Sequence, residues 1–159
     1  MRTTLNAILM GLLFAAECLC SPLQAAEQYS RQTVYVPIYS HIYTGDREKT
    51  FDLAVTLSIR NTDMENSIVV ESADYFNTEG KLIQKYIDKE VSLAPMAATR
   101  YVVQESDKRG GSGASFVVKW RSANKVSPPV IQGVMIGSKS QQGISFLTEG
   151  QVIEETVGQ

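Results

Sequence analysis

The stretch Phe51-Asp52-Leu53-Ala54-Val55-Thr56-Leu57-Ser58-Ile59-Arg60-Asn61 places a large apolar side chain at every second position, with Asp52, Ala54, Thr56, Ser58 and Arg60 between them. Phe51, Leu53, Val55, Leu57 and Ile59 hold every second position. Successive side chains of a strand point to opposite faces, so these five fall together on one face. On a helix the same residues would be scattered round the circumference. The pattern predicts a half-buried β-strand that needs a second apolar layer above it.

The same rule organises the rest of the chain. Thr33–Tyr43 reads as a first strand, with Val34, Val36, Ile38, Ser40 and Ile42 toward the core. Tyr35, Pro37, Tyr39, His41 and Tyr43 then face outward. Pro37 cannot donate to a ladder, so this strand is expected at a sheet edge or with a bulge near Pro37. Further strands are expected over Ser67–Phe76, Lys81–Ile87, Thr99–Val103 and Ser115–Arg121, with a last hairpin of Val130–Ile136 and Ile144–Leu147. Trp120 shares a face with Phe116 and Val118 and reads as a core anchor. The tail after Glu149 is polar and is expected to fray.

Seven to eight strands at roughly ten-residue spacing, with no helical period, predict an all-β fold. The expected architecture is an antiparallel β-sandwich in its immunoglobulin-like version. The cysteine pair of antibody domains is absent, so that version rests on strand count alone.

The first residues have a different character. Met1-Arg2 is a positive start, Leu5 to Ala16 is apolar apart from Asn6, and small residues follow at Ala25-Ala26. This is the layout of a secretory signal peptide over residues 1–25, leaving 26–159 as a single domain. The apolar run is too short to span a bilayer, which takes roughly 20 residues. The chain is therefore expected to be exported, periplasmic or secreted, with no transmembrane helix in its mature part. Cys18 and Cys20 are its only cysteines, and both lie in the leader. Lipid anchoring through one of them is the alternative, although Glu17 and Leu19 are poor neighbours for a lipidated cysteine. If both are removed, the mature domain has no thiol and depends on its core.

A net charge of −2 with interleaved signs gives no footprint for nucleic acid. One histidine, His41, and no mature cysteine give no transition-metal set, so neither metal nor cofactor is expected. Gly110-Gly111-Ser112-Gly113-Ala114 approaches a nucleophile elbow, but alanine replaces its last glycine. A charged run precedes it where the elbow needs a strand, and a strand follows where it needs a helix. A flexible inter-strand loop is the plain expectation for 107–113. An anion could still sit on its amides beside Lys108 and Arg109.

Two features remain as candidates. Tyr35, Tyr39, His41 and Tyr43 form an aromatic, hydrogen-bonding face, and tyrosine offers rigid area with a polar tip. Lys108 and Arg109 form the second. Together they suit an envelope protein, a peptide or a glycan as partner.

Several segments taken together carry a resemblance. They are Val34–Tyr43, Leu57–Asp63, Gly110–Phe116, Val134–Gly137 and Gln142–Phe146. The combination resembles the bacterial domain-of-unknown-function family 3124, from about Val34 to Gly150. The resemblance implies an exported bacterial protein and carries over no catalytic residue. The expectation is a non-enzymatic binding or interaction module of the cell envelope. The alternative is a carbohydrate-active or other hydrolase with a site near His41 and the 107–113 loop.

Overall fold

The computed structural model describes residues 27–139 and 141–156; the leader, with Cys18 and Cys20, lies outside them. Strand β1 runs over Tyr29–Pro37, β2 over His41–Thr44, β3 over Lys49–Asp52 and β4 over Ala54–Arg60. Next come β5 (Ile68–Phe76), β6 (Leu82–Lys85), β7 (Val91–Leu93) and β8 (Ala98–Val103). The chain continues with β9 (Ser115–Val126), β10 (Val130–Lys139), β11 (Gln142–Glu149) and β12 (Gln151–Thr156). No helix occurs among the described residues.

All strand pairings are antiparallel. One sheet has the order β12-β1-β9-β5-β6, with β7 also on β5; a second has the order β11-β10-β4-β8. Strands β2 and β3 pair only with each other. The two larger sheets turn their buried faces to one core. Val34, Val36, Phe116, Val118, Trp120, Val70 and Tyr75 come from the first sheet, and Val55, Leu57, Ile59, Ile131 and Met135 from the second.

The alternation of Phe51–Ile59 sets this core. Phe51 is 5% exposed, and Leu53, Val55, Leu57 and Ile59 are fully buried. Those residues nevertheless belong to two strands. The ladder breaks at Leu53, whose amide donates to the Ser40 carbonyl at 2.9 Å. The chain kinks there without changing parity, so the apolar face stays inward while the strand passes from hairpin to sheet. The first expected strand breaks in the same place, between Pro37 and His41.

Three expectations are corrected. There are twelve strands where seven to eight were expected. Two long patterns each split, β7 adds a short strand, and the tail forms β12. Over its described residues that tail is a strand, whose backbone pairs with β1 from Gln151 to Thr156. Polar side chains do not prevent this, because an edge strand is held by main-chain bonds and can face water. The β1 strand is therefore interior, between β12 and β9, and is not an edge. The irregularity in its pairing with β12 lies between Thr33 and Val34, where Ile153 is the extra residue on β12, and not near Pro37. Pro37 is tolerated because it is the last residue of the strand, where its missing N–H interrupts no further pairing.

The Asn61–Asn66 turn is held by side chains. Asn61 Nδ2 donates toward the carbonyls of Asn66 (2.9 Å), Leu93 (3.2 Å) and Ala94 (3.0 Å). Asp63 Oδ1 accepts the amides of Glu65 (3.0 Å) and Asn66 (2.7 Å), and Oδ2 accepts that of Ser127 (3.2 Å). These amides favour the charged carboxylate and hold Asp63 below its ordinary range.

Candidate functional site

The β2–β3 hairpin is set apart from both large sheets, and its turn, Gly45–Lys49, is exposed. Its register opposes His41 to Asp52, Ile42 to Phe51 and Tyr43 to Thr50. Opposed residues of an antiparallel pair share a face. Phe51 is buried, so Ile42 and Phe51 form the inward side. His41, Tyr43, Thr50 and Asp52 form the other.

On that side the His41 and Tyr43 rings meet edge to face, centroids 5.2 Å apart, with His41 Nε2 and Tyr43 Oη at 3.3 Å. Tyr43 is 54% exposed. Across the hairpin, Asp52 Oδ2 pairs with Lys108 Nζ at 2.8 Å, while Asp52 Oδ1 is buried with no hydrogen-bond partner among the described residues. Asp52 and Lys108 line an open cleft of about 500 Å³ with Gln104, Glu105 and Ser106. Histidine, tyrosine and carboxylate thus share one face of the hairpin, and the Lys108 ammonium pairs with the carboxylate at its root.

The loop that carries Lys108 is a built junction rather than a flexible connection. Ser40 donates its amide to the Gly111 carbonyl (3.0 Å), and Ile38 donates to Ala114 (2.9 Å). Thr78 donates both its amide (2.9 Å) and its hydroxyl (3.0 Å) to the Gly110 carbonyl. The Gly113 amide donates back to Thr78 Oγ1 at 3.0 Å. Gly110 is buried, and a Cβ there would stand 2.0 Å from Tyr75 Oη and 2.7 Å from Ser40 Oγ. The glycines that suggested an elbow serve this close packing.

Arg109 is engaged within the loop. Its Nη2 pairs with Asp107 Oδ2 at 2.6 Å, and its Nε donates to Asp107 Oδ1 at 2.9 Å. That hydrogen bonding holds the Asp107 carboxyl below its ordinary range. A third contact reaches Gln84 Oε1 at 3.3 Å.

Of the six residues singled out in the sequence, three come together: His41, Tyr43 and, through Asp52, Lys108. Arg109 does not join them; its guanidinium is bound to Asp107 and reaches Gln84. Tyr35 does not join them. It opposes Val117 on β9, on the outer side of the six-stranded sheet. Tyr39 does not join them either; it packs edge to face on Phe146 at 5.8 Å. Parity alone does not bring side chains together: Tyr35 lies on β1, before the break, and Tyr39 lies in the connection to β2.

Asp52 was overlooked because its strand face carries a mixed set of side chains. The signal was nevertheless present. A hairpin closed over Thr44–Lys49 pairs outward from its turn, which brings Asp52 opposite His41. An aromatic cluster was missed as well. Tyr86 meets Tyr75, Tyr101 and Phe116 at centroid distances of 6.4, 5.9 and 5.3 Å. Burial pushes all three tyrosine hydroxyls above their ordinary range and keeps them neutral.

The described fold is an all-β protein of antiparallel sheets around one core. The chain belongs to the family described as protein of unknown function (DUF3124), whose model matches residues 31–153. No curated protein matches it. Among solved structures, the crystal structure of Thermotoga maritima 1070 is similar at 17% identity and a TM-score of 0.46. That similarity covers 79% of this chain and 97% of the other.

Proposed function

We propose that this protein is a non-enzymatic binding module of the bacterial cell envelope, exported to the periplasm or secreted. Its scaffold would be a sandwich of the immunoglobulin-like kind. It would hold an envelope protein, peptide or glycan at the root of the β2–β3 hairpin. One observation carries this reading: an exposed His41–Tyr43 ring pair shares a hairpin face with Asp52, whose partner Lys108 lines an open cleft. Aromatic area with polar tips beside an ion pair suits recognition of a polar, extended ligand. The charged start and apolar run of the leader support export.

The hydrolase alternative needs a free carboxylate within hydrogen-bond reach of His41. Asp107 is held by Arg109 and Asp52 Oδ2 by Lys108, and Asp52 Oδ1, which has no partner among the described residues, is buried away from an incoming substrate; this favours binding over catalysis. Capture from an envelope extract tests the proposal. The Tyr43→Ala/Lys108→Ala protein is expected to lose the captured partner, and Tyr35→Ala to keep it. Equal capture by all three proteins would remove the site. Glycan or peptide turnover that His41→Ala abolishes would replace binding with catalysis.

A further inference from the structure

The outer faces of the two large sheets carry different arrangements of charge. On the six-stranded sheet, Glu71 pairs with Arg31 at 3.1 Å and with Arg121 at 3.0 Å, and Arg121 reaches Glu90 at 2.7 Å. Those contacts form one ion network on that face, which also carries exposed Lys119. On the four-stranded sheet, neither Arg100 nor Glu149 has an ion-pair partner among the described residues.

The register of the four-stranded sheet arranges its outer side chains in rows. One row runs Arg100, Ser58, Gln132, Glu149 from edge to edge. The next runs Val102, Thr56, Val134, Leu147, and Ala54 and Ile136 adjoin it. Val102 is 41% exposed, Ile136 55% and Leu147 56%. An apolar row therefore lies beside a polar row whose ends carry opposite charges.

The pattern complements itself. A two-fold axis parallel to the strands, in the plane between two facing sheets, lays β11 of one copy over β8 of the other. It lays β10 over β4 in the same way and keeps each row over its own row. Arg100 then meets Glu149 of the second copy, and Glu149 meets its Arg100. Val102 meets Leu147, Thr56 meets Val134, and the small Ala54 meets the large Ile136. The reciprocal Arg100–Glu149 pairs and the small Ala54 against the large Ile136 give the self-complementarity that an isologous interface requires; Arg60, in the next row, falls opposite Val130.

We infer that the outer face of the β11-β10-β4-β8 sheet is a homodimer interface, packed face to face and set in register by reciprocal Arg100–Glu149 pairs. This inference does not depend on the hairpin site. Four strands about 4.8 Å apart and seven residues of about 3.4 Å each make a face roughly 19 by 24 Å. That is at the small end of specific interfaces, so the dimer is weak and depends on concentration.

Sedimentation velocity of the protein as isolated from cells, over a wide concentration range, tests the inference. Wild type is expected to pass from monomer to dimer. Arg100→Glu alone, or Glu149→Arg alone, opposes like charges and is expected to raise the dissociation constant at least about tenfold. The double reversal Arg100→Glu/Glu149→Arg is expected to restore it to within about threefold of wild type. Leu147→Asp is expected to abolish the dimer. All these positions are exposed, and an unchanged thermal melt at low concentration verifies the fold of each variant. A protein monomeric at every concentration would overturn the inference, as would single and double reversals with equal effects.

Discussion

Ser40 Oγ and Tyr75 Oη lie 2.9 Å apart in the interior, and the space they occupy exists because residue 110 is glycine. Ser40 also accepts the Leu53 amide on its carbonyl and donates its own amide to Gly111. One residue thus ties the hairpin root, the β9 approach loop and the core together. Gly110→Ala is expected to destabilise the fold by about 1–3 kcal/mol or more, through overpacking against two hydroxyls. Tyr75→Phe is expected to cost about 1–3 kcal/mol by leaving Ser40 Oγ without its partner. In denaturant titrations, Ser40→Ala/Tyr75→Phe should lose less than the sum of its single variants. Strict additivity would show that the two hydroxyls do not interact.

Asn61 gives a second stability test. Its side-chain amide serves three carbonyls from two segments, so Asn61→Ala is expected to cost about 1–3 kcal/mol. Arg60→Ala, one residue away and exposed, is expected to stay within about 0.5 kcal/mol. Urea midpoints of the two variants compare them directly.

Asp63 predicts the acid limb of stability. Its carboxylate is held below its ordinary value of 3.8, chiefly by the amides of Glu65 and Asn66. A group with a depressed folded pKa adds stability that is fully present above its unfolded pKa. That stability is lost as pH falls through the folded value. Asp107, lowered by Arg109, acts in the same direction. Stability should therefore be flat near neutral pH and fall from about pH 4 downward. Asp63→Asn is expected to lower the midpoint at pH 7 and make the acid limb shallower. Parallel limbs for the two proteins would contradict this.

Leu57 tests the founding pattern. It is fully buried at the middle of β4, and Leu57→Ala is expected to cost about 2–5 kcal/mol. Thermal or denaturant unfolding of the variant measures it. A loss below about 1 kcal/mol would mean that this face does not set the core.

The apolar alternation of Phe51–Ile59 and of Val34–Ile38 was legible because period two is a direct image of strand geometry. The fate of Trp120 was legible for the same reason. The breaks at Leu53 and after Pro37 were not legible, since both strands keep their parity through the kink. What bends them is tertiary: the Ser40 backbone, bonded to residues far away in sequence. Strand β12 was hidden because main-chain pairing leaves no apolar signature. The site was half legible. His41, Tyr43 and Lys108 stood out by type, while Asp52 acquires its place only from the hairpin register.

Site-specific photo-crosslinking in living cells tests the binding role most directly. A photoreactive phenylalanine at position 43 would sit on the hairpin face, and one at exposed position 119 on the outer side of the six-stranded sheet. The expected result is a discrete adduct from position 43 that Lys108→Ala weakens, with none from position 119. No adduct from position 43, or the same adducts from both positions, would contradict a binding site at the hairpin root.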